Sequence, residues 1–274
     1  MDVQGKTAVI TGGASGIGRG IARCLAANGM NIVVADIEQA PLDEVVAELE
    51  AGGTAAIGVR TDVSDLSQVE ALADAAVARF DSVEVLCNNA GVGLSAPIGQ
   101  TSIEDWRWTL DIDLWGPIHG VHVFLPLMED RGEGHINSTS SMAGLYSTPS
   151  LGAYNVAKHG VVALMATLER DLRLANSKVR ASVLCPGPIN TNIVDSQRNR
   201  EPESAAQHIE TEAGEKFWDL LTRSLAEGMD PDDVGPLILD AVVNERFWVL
   251  THPDMARVTL TQATQMLEDR TLSR

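Results

Sequence analysis

Short runs of consecutive apolar residues alternate along this chain with longer stretches in which apolar residues recur every three or four positions. The runs "KTAVIT", "NIVVAD", "AAIGVRTDV", "VEVLCNNAG", "GHINSTSS", "VRASVLCPG" and "RFWVL" have the length and β-branched content of buried strands. Between them, "IGRGIARCLAANG", "APLDEVVAELEAGG" and "DLSQVEALADAAVARF" carry the apolar stripe of amphipathic helices. Strands without polar alternation, separated by helices, predict a parallel sheet covered on both faces. Gly29 and Gly52 stand where a left-handed residue would end a helix, and Ser64 or Asp65 is placed to cap the helix entered at Leu66.

Two stretches depart from this rhythm. "WTLDIDLWGPIHGVHVFLPLM" is apolar enough to raise the question of a membrane span, but Asp111, Asp113, His119 and His122 interrupt it, and it reads as a buried helix. From Thr191 to about Ala226 the alternation lapses into a polar loop followed by an amphipathic helix, so 191–226 reads as a lid over a substrate site. Residues 253–270 read as a C-terminal helix. With 274 residues, no repeat and no linker-like composition, the chain reads as a single domain over 1–274.

Composition narrows the function classes. A formal charge of −18 and a pI near 4.6 repel polyphosphate backbones and anionic lipid heads, which argues against nucleic acid and membrane partners. Cys24, Cys87 and Cys185 are an odd number without CxxC spacing and read as small buried hydrophobes in a reducing compartment. The N-terminus has no basic leader before its first strand, so a cytoplasmic location is expected. The sequon "NST" at Asn137 falls inside an expected core strand and reads as chance. His119 and His122, spaced i and i+3 without other ligand types nearby, read as packing residues, and no metal is expected.

The first strand runs into "TGGASGIG", with Gly12, Ser15, Gly16, Ile17 and Gly18 leading into a helix. Such a loop either makes a plain tight turn or lets a pyrophosphate approach the free N–H groups of the helix end. Asp36 closes the second strand, 18 residues after Gly18, near the spacing at which an acid meets an adenosine ribose. Its carboxylate would repel a 2′-phosphate and neither position 15 nor position 37 is basic, so NAD is expected rather than NADP.

Tyr154 and Lys158 stand at i and i+4 and share one helical face, with Ser141 thirteen residues upstream of the tyrosine. Alone, the two could be a surface pair. Beside an oxidised nicotinamide, an ammonium would favour phenolate over a phenol of pKa about 10 and make the tyrosine a usable base nearer neutral pH.

"TGGASGIG", "NNAG" at Asn88 to Gly91, a serine ahead of "YNVAK", and "PGPINT" at Pro186 to Thr191 occur together and in order. On these motifs the chain resembles the short-chain dehydrogenase/reductase family from Val3 to about Asn192. The resemblance implies a one-domain Rossmann-type, doubly wound parallel sheet of about seven strands with helices on both faces. It also implies a homotetramer or homodimer, and hydride transfer between NAD and an alcohol or ketone. Tyr154 would be the acid/base, Lys158 would bind ribose and lower the tyrosine pKa, and Ser141 would orient the small-molecule substrate. Ile37, Asp62 and Val63 would flank the adenosine, while Asn89, Ala90 and Gly91 would line the cofactor cleft. Pro186, Gly187 and Ile189 would do the same, and Thr191 would bind the carboxamide.

One position departs from the family pattern. Asp113 stands before "LWG" where the family normally has an asparagine that helps order a proton-relay water, so it joins the expected catalytic group with an altered pH dependence. Gly93, Leu94, Met142, Ala143, Leu145, Leu151 and Pro188, with Phe217 and Trp218 from the lid, would form the substrate pocket. None is basic, which favours a neutral, fairly apolar secondary alcohol or ketone, aryl or alicyclic. Trp106, Trp108 and Trp115 read as packing anchors rather than a substrate cage. Two other readings stay open: an NAD-binding regulatory or scaffold protein whose catalysis has lapsed through Asp113, and a non-redox lyase or epimerase on the same fold.

Overall fold

All seven expected strands form. The computed structural model describes residues 1–200 and 212–268, in which β1 (Thr7–Thr11), β2 (Asn31–Asp36), β3 (Ala56–Arg60), β4 (Val85–Asn88), β5 (Gly134–Thr139), β6 (Val179–Cys185) and β7 (Trp248–Leu250) make one parallel sheet. Its order is β3-β2-β1-β4-β5-β6-β7, so the chain winds outward from the centre in both directions and the order reverses between β1 and β4. A crevice opens at the carboxyl ends of the strands at such a reversal.

The apolar runs lack polar alternation because both faces of the sheet are covered. On one side Ala8 and Ile10 of β1 pack with Ile21 and Leu25 of α1 (Gly16–Ala27), Leu42 of α2 (Gln39–Ala51) and Ile238 of the helix Val234–Asn244. On the other, Val9 packs with Leu72 of α3 (Leu66–Phe80), Phe124 of α5 (Gly116–Arg131) and Met165 of α6 (Gly152–Leu174). Each of these residues is at most 3% exposed, a full burial worth roughly 1.5–3 kcal/mol per large side chain. The Asn137 sequon lies in this core on β5.

Helix ends follow the expected chemistry with one shift. Asp65 caps α3 by accepting from Ser67 N at 2.9 Å, and Gly29 is left-handed at φ +81°. Gly52 is not: it continues right-handed at φ −76°, and Gly53 takes the turn at φ +85°. Adjacent glycines leave that choice to the exit path toward β3.

The stretch read as one buried helix is two helices with a π turn between them. α4 (Ile103–Leu110) runs through Asp111–Trp115 in π geometry into α5. The wider turn carries Asp113 to the inside, where it is fully buried. Among the described residues, no helix is long and apolar enough to cross a membrane. His119 packs beside Trp115 and meets Val63 O at 2.9 Å, whereas His122 is exposed, on the outer side of α5, and does not pack as expected. Cys87 and Cys185 are buried, but Cys24 is only half-buried, on the flank of α1.

In the stretch read as a lid, Asn192–Asn199 forms short helical turns and Glu212–Ala226 a helix, while residues 201–211 lie outside the described residues. The C-terminal helix divides into Pro253–Ala256 and Val258–Glu268; residues 269 and 270 lie outside the described residues.

Candidate active site

A cleft of about 640 Å³ sits at the carboxyl ends of the strands, and nearly every motif residue reaches it. Its floor is the glycine loop. Gly12 turns at φ +61°, and a Cβ there would stand 2.7 Å from Ala90 Cα, so only glycine lets the loop lie against the end of β4. Gly18 does not line the cleft: a Cβ on it would meet Gly12 O at 2.1 Å, so it serves the close packing of α1 behind the loop. Ser15 makes no side-chain capping bond, which leaves the first-turn N–H groups of α1 without a side-chain acceptor. A dinucleotide with its pyrophosphate on that helix end fits this surface.

Asp36 and Ile37 line the cleft beside the glycine loop, with Asp62 and Val63. The Asp36 carboxylate accepts from Ala14 N and Glu38 N, both at 3.1 Å, which orients it; burial raises its pKa and these two N–H groups hold it back. Asn89 ties the strand ends together, donating to Thr11 O at 3.2 Å and accepting from Thr139 Oγ1 at 3.2 Å, and Ala90 and Gly91 continue along the wall. Pro186, Gly187 and Ile189 leave β6 along the opposite wall, and Thr191 packs its methyl on Gly16.

The first turns of α6 and the end of β5 bring Ser141, Tyr154 and Lys158 to one place. Lys158 is 3% exposed; its Nζ donates to Thr139 O at 3.3 Å, stands 3.7 Å from Asp113 Oδ1 and lies 5.3 Å from the centre of the Tyr154 ring. The Ser141 hydroxyl accepts from Ala143 N at 3.1 Å and lines the cleft with Tyr154. Burial raises the Tyr154 pKa above its usual value; Lys158 and Ser141 pull it down, and Asp113 pushes it further up. The ammonium alone therefore does not bring the phenol toward neutrality.

Asp113 lies behind the cleft rather than in it. Its Oδ1 accepts from Val92 N at 2.8 Å, and its Oδ2 is buried without a partner. Burial raises its pKa, against the pull of the Lys158 charge and the Val92 N–H.

Gly93, Met142, Ala143, Leu151, Pro188, Phe217 and Trp218 line the cleft on the side of Ser141 and Tyr154. Two expected residues are elsewhere: Leu94 is 4% exposed and turned away from the cleft, and Leu145 packs into the core beside α6. Both sit one position from a lining residue, Gly93 and Tyr146, because an extended or tightly turning chain presents alternate residues to opposite sides. Trp108 corrects the packing expectation. Two positions along α4 turn it well away from Trp106, so it faces the cleft beneath Arg200, whose guanidinium lies 4.9 Å from its ring. Sequence reasoning also missed Glu38, Arg107, Ser196, Arg198 and Met255, which line the cleft from segments far apart in the chain, Ser196 and Arg198 sharing one. Arg107 and Arg198 mean that the whole cleft, unlike the expected pocket, has basic groups on its rim. Only Tyr146, one of the chain's two tyrosines and close to Ser141, carried a sequence signal that could have been used.

The short chain dehydrogenase model matches residues 6–202. The chain belongs to this family. A crystal structure of a short-chain dehydrogenase/reductase from Burkholderia phymatum in complex with NAD is 40% identical, covers 100% of this chain and 98% of its own, and superposes with a TM-score of 0.97. The 1-deoxy-11-beta-hydroxypentalenate dehydrogenase of Streptomyces exfoliatus is 32% identical over 95% of this short-chain dehydrogenase and 87% of its own length. A C alpha-dehydrogenase of Sphingobium sp. is 31% identical over 93% and 83% respectively.

Proposed function

We propose that this short-chain dehydrogenase uses NAD to interconvert a neutral, fairly apolar secondary alcohol, aryl or alicyclic, and its ketone. The observation that carries the reading is the meeting of Ser141, Tyr154 and Lys158 on a cleft whose other end holds the glycine loop and Asp36. The NAD-bound relative from Burkholderia phymatum supports the cofactor, the 1-deoxy-11-beta-hydroxypentalenate dehydrogenase supports a hydroxyl-bearing substrate, and the C alpha-dehydrogenase supports a dehydrogenase reaction. NAD, when bound, accepts the hydride from the carbinol carbon.

The chain's own residues handle the proton. Tyr154 takes it from the substrate hydroxyl as the C–O bond gains double-bond character, and Ser141 donates a hydrogen bond that holds the substrate oxygen. Lys158, fixed by Thr139 O and Asp113, supplies the positive charge that favours phenolate. Met142, Leu151, Trp108 and Trp218 offer apolar and aromatic surface to the substrate body.

The test is NADH formation with purified protein, NAD and a panel of secondary alcohols. Turnover in the wild type that Tyr154→Phe abolishes, with NAD binding retained by calorimetry, supports the reading. Turnover surviving in Tyr154→Phe overturns the acid/base role. A second reading, a nucleotide-binding protein without turnover, draws on the unpartnered Asp113 Oδ2; NAD binding with no turnover on any substrate favours it.

A further inference from the structure

The segment from Thr191 to Arg200 is fastened to the rim of the cleft at three points. Ser196 Oγ accepts from Gly93 N at 2.8 Å, just beyond β4. Arg200 Nη1 donates to Asp105 Oδ1 at 2.6 Å on α4, both side chains fully buried. The third point lies at the carboxyl end of β2, where Arg198 Nη2 and Asn199 Nδ2 both donate to Glu38 Oε1 at 2.6 Å.

The third point differs from the others in being open to solvent: the Arg198 and Glu38 side chains are 33% and 27% exposed. A partly exposed ion pair forms and breaks at little cost, whereas the buried contacts hold the rest of the segment down. This pair also sits at the adenosine end. Glu38 is two residues beyond Asp36 and its backbone N–H holds the Asp36 carboxylate, and Asp36, Glu38, Arg198 and Asn199 line one cavity.

A guanidinium beside the ribose-selecting acid is the group a 2′-phosphate would require. In this chain that guanidinium exists, supplied from 160 residues away, but Glu38 occupies it. Arg198 is further steadied by donating to Asp195 O at 2.8 Å, so it is held in place against the rim rather than free to sweep outward.

We propose that Glu38 is a second cofactor-specificity residue: by engaging Arg198 and Asn199 across the adenosine end of the cleft, it withholds the guanidinium from a 2′-phosphate and slows dinucleotide release. The proposal rests on the NAD reading above. Glu38 is a positioning residue, acting through Arg198 and remote from the reacting atoms.

The experiment uses the full chain and four forms: wild type, Glu38→Gln, Arg198→Ala and the double variant. Dissociation constants for NADH and NADPH are read from nicotinamide fluorescence, and the NADH release rate from stopped-flow displacement. Glu38→Gln keeps an acceptor for Asn199 and removes the charge. It is expected to shift binding toward NADPH by roughly two- to fivefold relative to NADH, the size of a partly exposed charge pair. The double variant is expected to lose that gain, because the cation that made it is gone. Both single variants are expected to release NADH faster, and the double variant no faster than the singles.

An unchanged NADPH to NADH ratio in Glu38→Gln would overturn the proposal. So would a gain that persists in the double variant, or an NADH release rate that neither single variant moves. A wild type that fails to bind NADH would overturn the cofactor reading itself, and the two failures are told apart by that control.

Discussion

Replacing Asp113 with asparagine isolates one charge in the acid–base group. The asparagine carbonyl can still accept from Val92 N, so the local fold around the π turn is kept. Lys158 Nζ is 3.7 Å from Asp113 Oδ1 and 5.3 Å from the centre of the Tyr154 ring, so the carboxylate lies within about 9 Å of the ring. At an effective dielectric of about 20, two unit charges at that separation interact by about 1.8 kcal/mol, or a little over one pH unit. An ionised Asp113 disfavours phenolate, so its removal lowers the Tyr154 pKa. The alkaline rise in kcat/KM for alcohol oxidation at saturating NAD is therefore expected to move about one pH unit lower or more in Asp113→Asn.

A second assay needs no substrate. The chain has only two tyrosines, so in a Tyr146→Phe background the ultraviolet absorbance of tyrosinate follows Tyr154 alone. The same downward shift is expected there. A limb that stays in place would mean that Asp113 is protonated throughout, since burial raises its pKa, and a limb that moves upward would refute the electrostatic reasoning.

Asp36→Ala is expected to weaken NADH binding and narrow the preference over NADPH, read by fluorescence titration; unchanged affinities would remove Asp36 from the ribose site. Asp105→Asn replaces the carboxylate 2.6 Å from the buried Arg200 guanidinium by a neutral amide and is expected to cost more than about 1 kcal/mol in urea unfolding, with Asp105→Asn/Arg200→Met costing less than the single change. A single-variant loss below about 1 kcal/mol would contradict this. His135 is buried between β5 and β6 with its ring against Ser182 Oγ at 2.7 Å, and burial holds its pKa down to about 3. Its contribution to stability is therefore full above about pH 6.5 and is lost as pH falls from there toward 3, because the unfolded chain takes up the proton first. His135→Asn is expected to flatten the acid side of the stability–pH curve by up to about 1.4 kcal/mol per pH unit, measured by urea unfolding at a series of pH values. Exposed Trp115, Trp248 and Leu260, at 50%, 49% and 67%, fit the expected homodimer or homotetramer, which light scattering would test; a monomer at micromolar concentration would rule it out.

β1, β2 and β4 were legible because burial on both faces leaves their apolar runs almost unbroken, as in the fully buried Thr7–Thr11, whereas β5 is buried although it carries His135, Asn137 and Ser138. The cleft was legible where chemistry demands a residue type at a short spacing: Gly12 against Ala90, Asp36 at a strand end, Tyr154 one helical turn before Lys158. It was not legible where the cleft is assembled from distant segments. Glu38 and Arg198 meet across 160 positions, and Trp108 faces the cavity only because of the phase in which α4 lands. Gly52 against Gly53, and Leu145 against Tyr146, were errors of a single position. Periodicity sets the rhythm of an element, whereas tertiary packing sets where its first beat falls.

The π turn at Asp111–Trp115 gives that idea a physical form. It inserts an offset between two helices that each answer to a different neighbour. α4 presents Asp105 and Trp108 to Arg200, while α5 presents Gly120 so closely to β4 that a Cβ there would meet Asn88 Oδ1 at 2.0 Å. Removing one residue from the turn would rejoin the two in one continuous winding and rotate one of them by about 100° relative to the other. Either the clasp on the Thr191–Arg200 segment or the seat on the sheet would then be lost, and Asp113 would swing away from Lys158. The turn works as a spacer that lets one rod meet two surfaces cut to different pitches, and the length of Asp111–Trp115 is consequently as constrained as its composition.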